Sequence, residues 1–310
     1  MNKEKQECDT AQLCETCAEA GTCSEKEKQA HEERRLKDRL YHIRHKIMVM
    51  SGKGGVGKST VAVNLATALA LDGFRVGILD ADIHGPNIPK MLGLELYQLM
   101  GTGDGIRPVE FYPNVKVVSI ALLSGDSDAP VVWRGPLKHA MIKQFLADVE
   151  WGDLDYLIVD LPPGTGDEAL SVAHLIENVD GSVVVTTPQE VALLDSRKAV
   201  GFSRLLKIKV LGIVENMSGM TCPHCGKEIN LFKVGGGETA ARNLMVPFLG
   251  RIPIDPEVVT MCDQGTPLVL SKPDSAAAKV FFGLSQAVSR EMERGEKEKA
   301  EQSPVRGGGS

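Results

Sequence analysis

The chain has 310 residues, 43% of them hydrophobic and 25% charged, with a formal net charge of −6. That composition supports a sizeable buried core and excludes a wholly disordered or fibrous chain. The acidic balance and the 5% aromatic content argue against a protein that holds nucleic acid through phosphate contacts or base stacking.

Residues 1–39 are polar and charged and carry almost no aliphatic periodicity, so burial alone does not order them. Cys8, Cys14, Cys17 and Cys23 fall here, four of the seven cysteines in the chain, and the segment reads as a Cys-rich metal-binding appendage. The first residues lack the apolar stretch of a secretory signal. No window reaches the roughly 18–20 unbroken apolar residues of a membrane helix. A cytoplasmic location without a membrane partner is expected. In that reducing compartment clustered cysteines read as metal ligands or redox groups before disulfides.

From Lys46 the texture changes. Hydrophobic patterning predicts a strand over 47–50, a glycine-rich turn, a helix over 59–71 and a strand over 75–79, which is a β–α–β unit. Further strands are expected over 115–120, 156–159, 182–185, 210–214 and 248–252. Helices are expected over 137–149, 168–177, 192–206 and 276–290. Several strands are unbroken apolar runs, the pattern of strands buried on both faces. The fold class is therefore α/β: a doubly wound, mostly parallel sheet of seven or eight strands with helices on both faces, spanning 46–290. Segments 101–105 and 125–130 look like surface excursions, and 294–310 like a disordered tail.

The stretch 52–60 satisfies two templates. Gly52, Gly54 and Gly57 fit G-x-G-x-x-G, and Gly52, Gly57, Lys58 and Ser59 fit G-x-x-x-x-G-K-[ST]. Lys58 and Ser59 decide for the second, because a triphosphate needs a cation and a Mg²⁺ ligand at those positions and a dinucleotide does not. The glycines let backbone N–H groups converge on phosphate oxygens at a helix N-terminus. Such a loop needs a carboxylate at the end of another strand. Asp160, followed by Leu-Pro-Pro-Gly-Thr-Gly, is placed to hold Mg²⁺, and the run after it to sense the γ-phosphate. Asp82 is the candidate for orienting the attacking water. Asp80 either shares that task or caps a turn. Lys53, judged alone, is a solvated loop charge.

With Lys53 included, the loop resembles the deviant Walker A motif of the nitrogenase iron protein and of septum-site and partition ATPases. The segments 52–60, 80–87, 160–167, 187–189, 215–218 and 222–225 are together most similar to those of the Mrp/Nbp35 iron–sulfur cluster carrier ATPases. The resemblance spans about 46–282. It implies ATP sandwiched in a homodimer, with Lys53 reaching the partner's nucleotide. It also implies nucleotide contacts from Gly52, Gly54, Gly55, Val56, Gly57, Lys58, Ser59 and Thr60, with Asn216 and Pro253 farther along and Asn216 on the adenine.

Cys222-Pro-His-Cys225 is a tight turn that suits two thiolates on one metal centre. A [4Fe–4S] cluster takes four ligands, and a two-fold dimer resolves that count. Zinc is the rival, and a thioredoxin-like redox pair is a third reading. The resemblance implies the cluster at the dimer interface. Cys8, Cys14, Cys17 and Cys23, spaced C-x5-C-x2-C-x5-C, supply four thiolates for a second [4Fe–4S] centre or for zinc. This segment resembles the N-terminal one of the Nbp35 branch, although the first gap is shorter than usual there, which weakens Cys8 most. Cys262 reads as a buried small hydrophobe.

The expected function is an ATP-dependent carrier that binds a [4Fe–4S] cluster between subunits, hydrolyses ATP slowly and passes the cluster to apo iron–sulfur proteins. The alternatives are a partition or division-site ATPase and an ATP-gated electron donor like the nitrogenase iron protein.

Overall fold

The computed structural model describes residues 23–123, 135–222 and 224–302. The expectations for Cys8, Cys14 and Cys17, for 125–130 and for 303–310 fall outside these residues.

The described chain opens with α1 (Glu25–Tyr41) and β1 (Ile43–Ser51), then α2 (Lys58–Leu71), β2 (Val76–Asp80) and the short α3 (Ile88–Met91). A small hairpin of β3 (Met100–Gly101) and β4 (Ile106–Arg107) precedes β5 (Val109–Phe111) and β6 (Val115–Ser119). Next come α4 (Gly135–Ala147), β7 (Leu154–Asp160), α5 (Asp167–Leu175), β8 (Gly181–Thr186), α6 (Glu190–Leu205) and β9 (Val210–Glu215). A second hairpin, β10 (Met220–Thr221) and β11 (Glu228–Ile229), leads into α7 (Gly236–Leu244) and β12 (Phe248–Arg251). The described chain closes with α8 (Pro256–Asp263), α9 (Leu268–Ser271) and α10 (Ala276–Gln302).

Eight strands form one sheet in the order β12-β9-β8-β1-β7-β2-β6-β5. Every pairing is parallel except β5 with β6. Every residue of β2 and of β8 is buried, as the apolar runs require of strands covered on both faces. One face packs Val61, Leu65 and Leu69 of α2 with Phe281 and Leu284 of α10. The other packs Leu36 and Leu40 of α1, Phe145 and Leu146 of α4, Val172 of α5 and Val200 of α6. Because the strands run parallel, the residues that follow β1, β2, β7, β8 and β9 gather along a single edge of the sheet.

The two ends differ from expectation. Residues 25–41 form a helix, and β1 starts at Ile43, ahead of Lys46. Ser24 caps α1 in a reciprocal box with Glu27. The buried side of α1 is His31, Arg35, Leu36 and Leu40, so half of its stripe is polar by type and escapes a hydropathy reading. Arg35 Nε donates to the Ala147 carbonyl at 3.1 Å and lies 3.2 Å from Asp148. At the other end α10 continues through 294–302, where a disordered tail was expected. Arg294 pairs with Glu291 and Glu298, and Glu296 reaches back to Arg44 at 2.6–2.7 Å. Among the described residues no helix is long and apolar enough to cross a membrane.

Candidate functional site

The loop 52–57 leaves the end of β1 and feeds directly into α2. Gly55 (φ 76°) and Gly57 (φ 81°) take left-handed backbone that a side chain disfavours. A Cβ on Gly52 would overlap the backbone carbonyl of Asp195, so α6 lies hard against the loop. Val56 is buried, and its carbonyl accepts from Asn216 Nδ2 at 2.9 Å. Ser51 Oγ donates to the Lys53 carbonyl at 2.9 Å. Lys53 is half-buried, Gly54 and Gly55 are exposed, and among the described residues no carboxylate lies within ion-pairing distance of the Lys53 ammonium.

Lys58 opens α2 and is only 6% exposed, with its ammonium 2.7 Å from Asp160 Oδ1 and 3.8 Å from Asp82 Oδ2. Ser59 Oγ donates to Asp160 Oδ2 at 2.6 Å. Lys58, Ser59 and Asp160, the three residues expected to serve phosphate and Mg²⁺, are thus in mutual contact, and Asp82 approaches them through Lys58. Asp80 faces Asp160 across the β2–β7 pairing, and both are fully buried. Burial, then the Asp160 charge, push the Asp80 carboxyl up to about 8 against the pull of Lys58 and of the hydrogen bonds from Ser119 and the Asp82 N–H. Burial also raises Asp160, opposed by Lys58 and Ser59. Asp80 resolves toward the loop-organising reading. Its carboxylate accepts from Asp82 N at 3.2 Å, Ile88 N at 3.4 Å and Ser119 Oγ at 2.9 Å. It therefore shapes the segment that carries Asp82.

Beyond the loop, Asn216 follows β9, and its N–H donates to the Thr186 carbonyl at 2.8 Å. Pro253 lies between two backbone ties, Ser218 N to Ile252 O at 2.9 Å and Ile254 N to Gly219 O at 2.7 Å, so the exits of β9 and β12 are held side by side. Thr187 Oγ1 is buried there without a hydrogen-bond partner among the described residues. The sequence reading gave Glu215 no role. It is fully buried, accepts from Gly235 N at 2.9 Å, from Gly237 N and from Ser218 Oγ, and pairs with Arg251 Nε at 3.1 Å. One carboxylate therefore caps α7 and fixes the loop behind Asn216. The signal for it was a glutamate ending an apolar strand, followed by three successive glycines, Gly235 to Gly237.

Cys222 and Cys225 occupy the tip joining β10 to β11. The tip is closed by Cys222 N to the Lys227 carbonyl and by Gly226 N to the Cys222 carbonyl, both at 2.9 Å. Gly226 takes φ 69°. The N–H groups of His224 and Cys225 and the Cys225 thiol lower the Cys222 thiol, a geometry that favours the thiolate a metal needs. Lys233 pairs with Glu190 at 2.9 Å and links this region to α6. Among the described residues no group of three or more His, Cys, Asp or Glu is arranged to hold a metal ion. Cys23 lies directly before the Ser24 cap of α1. Cys262 is buried as expected, and its thiol contacts Thr60.

A strand running into a glycine loop, a lysine and serine at the helix start, and a carboxylate from a neighbouring strand end define a P-loop NTPase. A family model described as the ParA-type, NUBPL iron-transfer P-loop NTPase matches residues 42–289, and the chain belongs to this family. It is 48% identical over 291 residues to a protein named iron-sulfur cluster carrier protein in Methanocaldococcus jannaschii, covering 94% of this chain and 98% of the relative. A protein of the same name in Saccharolobus solfataricus is 49% identical, covering 82% and 86%. Among solved structures, the ADP complex of an Archaeoglobus fulgidus nucleotide-binding protein, with Co, is 42% identical at a TM-score of 0.67, covering 75% of this chain and 91% of that one. The cell division ATPase MinD of Pyrococcus furiosus is 26% identical at a TM-score of 0.61, covering 80% and 99%.

Proposed function

We propose that this protein is an ATP-dependent iron–sulfur cluster carrier, with a [4Fe–4S] cluster as its cargo between two copies of the chain. The observation that carries the reading is the Cys222–Cys225 turn: two convergent thiols on one tip, with backbone N–H groups aimed at Cys222. Two thiolates are half the ligand set of such a cluster, and a second copy related by a two-fold axis supplies the rest. Exposed Ile229 and Leu231 beside the turn, with exposed Val191 and Leu194 on α6, give that copy an apolar surface. Lys53, without an acidic partner among the described residues, reaches the nucleotide of the other copy.

In the nucleotide site Gly52, Gly54, Gly55, Val56 and Gly57 direct N–H groups at the phosphates, and Lys58 neutralises them. Ser59 and Asp160 hold Mg²⁺, with Thr60 completing the loop. Asn216 and Pro253 hold the base, and Asp82 orients the water for slow hydrolysis. Lys58 already spans the distance between Asp160 and Asp82, so phosphate binding redistributes its contacts and is felt by both acidic segments. The released cluster passes to apo iron–sulfur proteins. Cys8, Cys14, Cys17 and Cys23 hold a second centre.

Anaerobic reconstitution with iron and sulfide tests this. A Cys222→Ala/Cys225→Ala variant is expected to lose one cluster per dimer and to lose transfer to an apo-protein, while keeping ATP binding. A variant that still transfers cluster at the wild-type rate, or a wild type that takes up zinc in place of iron at this pair, excludes the reading.

A further inference from the structure

Lys138, on the first turn of α4, is only 12% exposed. Its ammonium contacts both Glu168 Oε1 and His84 Nε2, and His84 Nε2 lies 3.1 Å from the same Glu168 oxygen. His84 belongs to the segment leaving β2 with Asp80 and Asp82. Glu168 belongs to the first turn of α5, just after Asp160 and the turn 161–166. Those are the two acidic segments that meet at Lys58, and a third element bridges them on the far side. Burial raises the Glu168 carboxyl, but the hydrogen bonds from Lys138 and His84 outweigh it and leave it below its usual range. Beneath this bridge lies a pocket of about 140 Å³ lined by Ala81, Ile83, Ile142, Val172 and Leu175, where the two segments meet α4.

The other end of this connection is α1. The two helices run in the same direction, because Glu32 pairs with Lys143 at 2.9 Å and Arg35, three residues on, meets Ala147 and Asp148. Leu36 and Leu40 of α1 share one apolar cluster with Ile142, Phe145 and Leu146 of α4. Since α1 ends where β1 begins and packs back along the sheet, its first residues, Cys23 and Ser24, stand at the edge that carries the glycine loop. Packed helices with fixed ion pairs shift as bodies rather than deform.

We infer that Lys138 is a positioning residue that couples the nucleotide-facing segments to the Cys23 end of α1. Rearrangement of the 80–88 and 161–167 segments on MgATP binding draws Lys138 with them and moves α4 and α1 together. The inference rests on the nucleotide reading of the glycine loop given above.

The test is amide hydrogen exchange of the full-length protein, not reconstituted with iron and sulfide so that Cys23 is free of any cluster, nucleotide-free and saturated with a non-hydrolysable ATP analogue and Mg²⁺, with alkylation of Cys23 followed by peptide mass spectrometry. In the wild type the analogue is expected to change exchange in the first turns of α1 and alkylation of Cys23 by about fivefold or more, the lower range of measured site-to-site couplings. In Lys138→Met both changes vanish at saturation although the nucleotide stays bound, and Lys138→Arg restores them. Glu168→Ala, which removes the same bridge from the α5 side, behaves like Lys138→Met and serves if that variant does not fold. A nucleotide response at α1 that survives both variants, or none in a wild type with nucleotide bound, overturns the coupling. A wild type that binds no nucleotide overturns the nucleotide reading itself, and the two failures are told apart by the bound-nucleotide measurement.

Discussion

Asp80 and Asp160 face each other across β2 and β7, both out of contact with solvent, and the ammonium of Lys58 sits 2.7 Å from the second of them. Two buried carboxyls beside one cation leave the site with a surplus of acid. That surplus makes its stability depend on pH and its chemistry depend on Lys58.

Replacing Asp80 with Asn is expected to stabilise the nucleotide- and magnesium-free protein, more so as pH rises. A carboxyl raised from 3.8 to about 8 keeps its proton in the folded chain where the unfolded chain has released it. Its contribution to stability is full below the unfolded value and drains away as pH climbs through about 8. Asn carries no such dependence. The Tm advantage of Asp80→Asn should therefore widen between pH 5 and pH 8, by at most about 1.4 kcal/mol per pH unit. Each kcal/mol corresponds to about 2–4 °C for a domain near this size. Calorimetry across that window checks it, and a Tm difference independent of pH contradicts the assignment.

Lys58→Ala should remove hydrolysis almost completely, by about 10²–10³-fold, the usual cost of losing a preorganised charge from a reacting site. The same change leaves Asp160 buried with Ser59 Oγ but no cation, so the nucleotide-free protein should also melt lower. Phosphate release and a thermal scan measure the two effects independently. Wild-type hydrolysis in the variant would remove Lys58 from the site.

Glu215→Ala should cost about 2–4 kcal/mol, because it leaves the Gly235 and Gly237 N–H groups and Ser218 Oγ without their acceptor and uncaps α7, while Arg251 keeps Glu238. Arg251→Ala should cost less, since Arg251 is partly exposed and the Glu215 carboxylate keeps its hydrogen bonds from Gly235, Gly237 and Ser218. The double variant should cost less than the sum of the two. Denaturant unfolding of the three proteins gives the cycle, and simple additivity would mean that the pair is not coupled.

Gly57→Ala should leave the chain folded but unable to hold nucleotide tightly. The position has φ 81°, and a Cβ there overlaps the Asn216 amide that ties the loop to the exit of β9. Titration calorimetry with ATP should show affinity falling, with the far-ultraviolet spectrum unchanged. Gly52→Ala meets backbone of α6 rather than a side chain and should lower stability as well.

The sheet was legible in the sequence because its strands are unbroken apolar runs, and the phosphate loop because Lys58 and Ser59 close an otherwise ambiguous glycine pattern. Asp160 and Asp82 could be named because each stands at a strand exit. What escaped were residues whose burial is bought with polar contacts. His31 and Arg35 hide the inward face of α1 from any hydrophobic count, and the charges of 291–298 disguise a helix held by Arg44 and by Lys209, which pairs with Glu291. Glu215 was passed over because its partners are backbone N–H groups of glycines, which leave no side-chain pattern to read. Lys138 was passed over because its two partners lie on different elements.

The course of α10 has a practical side. At 27 residues it is about 40 Å long. It passes from beside α2, where Ser285 meets Asp72, to the starts of β9 and β1, where Glu291 and Glu296 take Lys209 and Arg44. Its last described turn therefore leaves the molecule at the rim opposite the glycine loop and the cysteines. A fusion partner or a solid support attached past Gln302 holds the rim of the glycine loop and of Cys222 and Cys225 outward, open to the second copy and the recipient proposed above. An attachment just ahead of Cys23 stands on that rim itself.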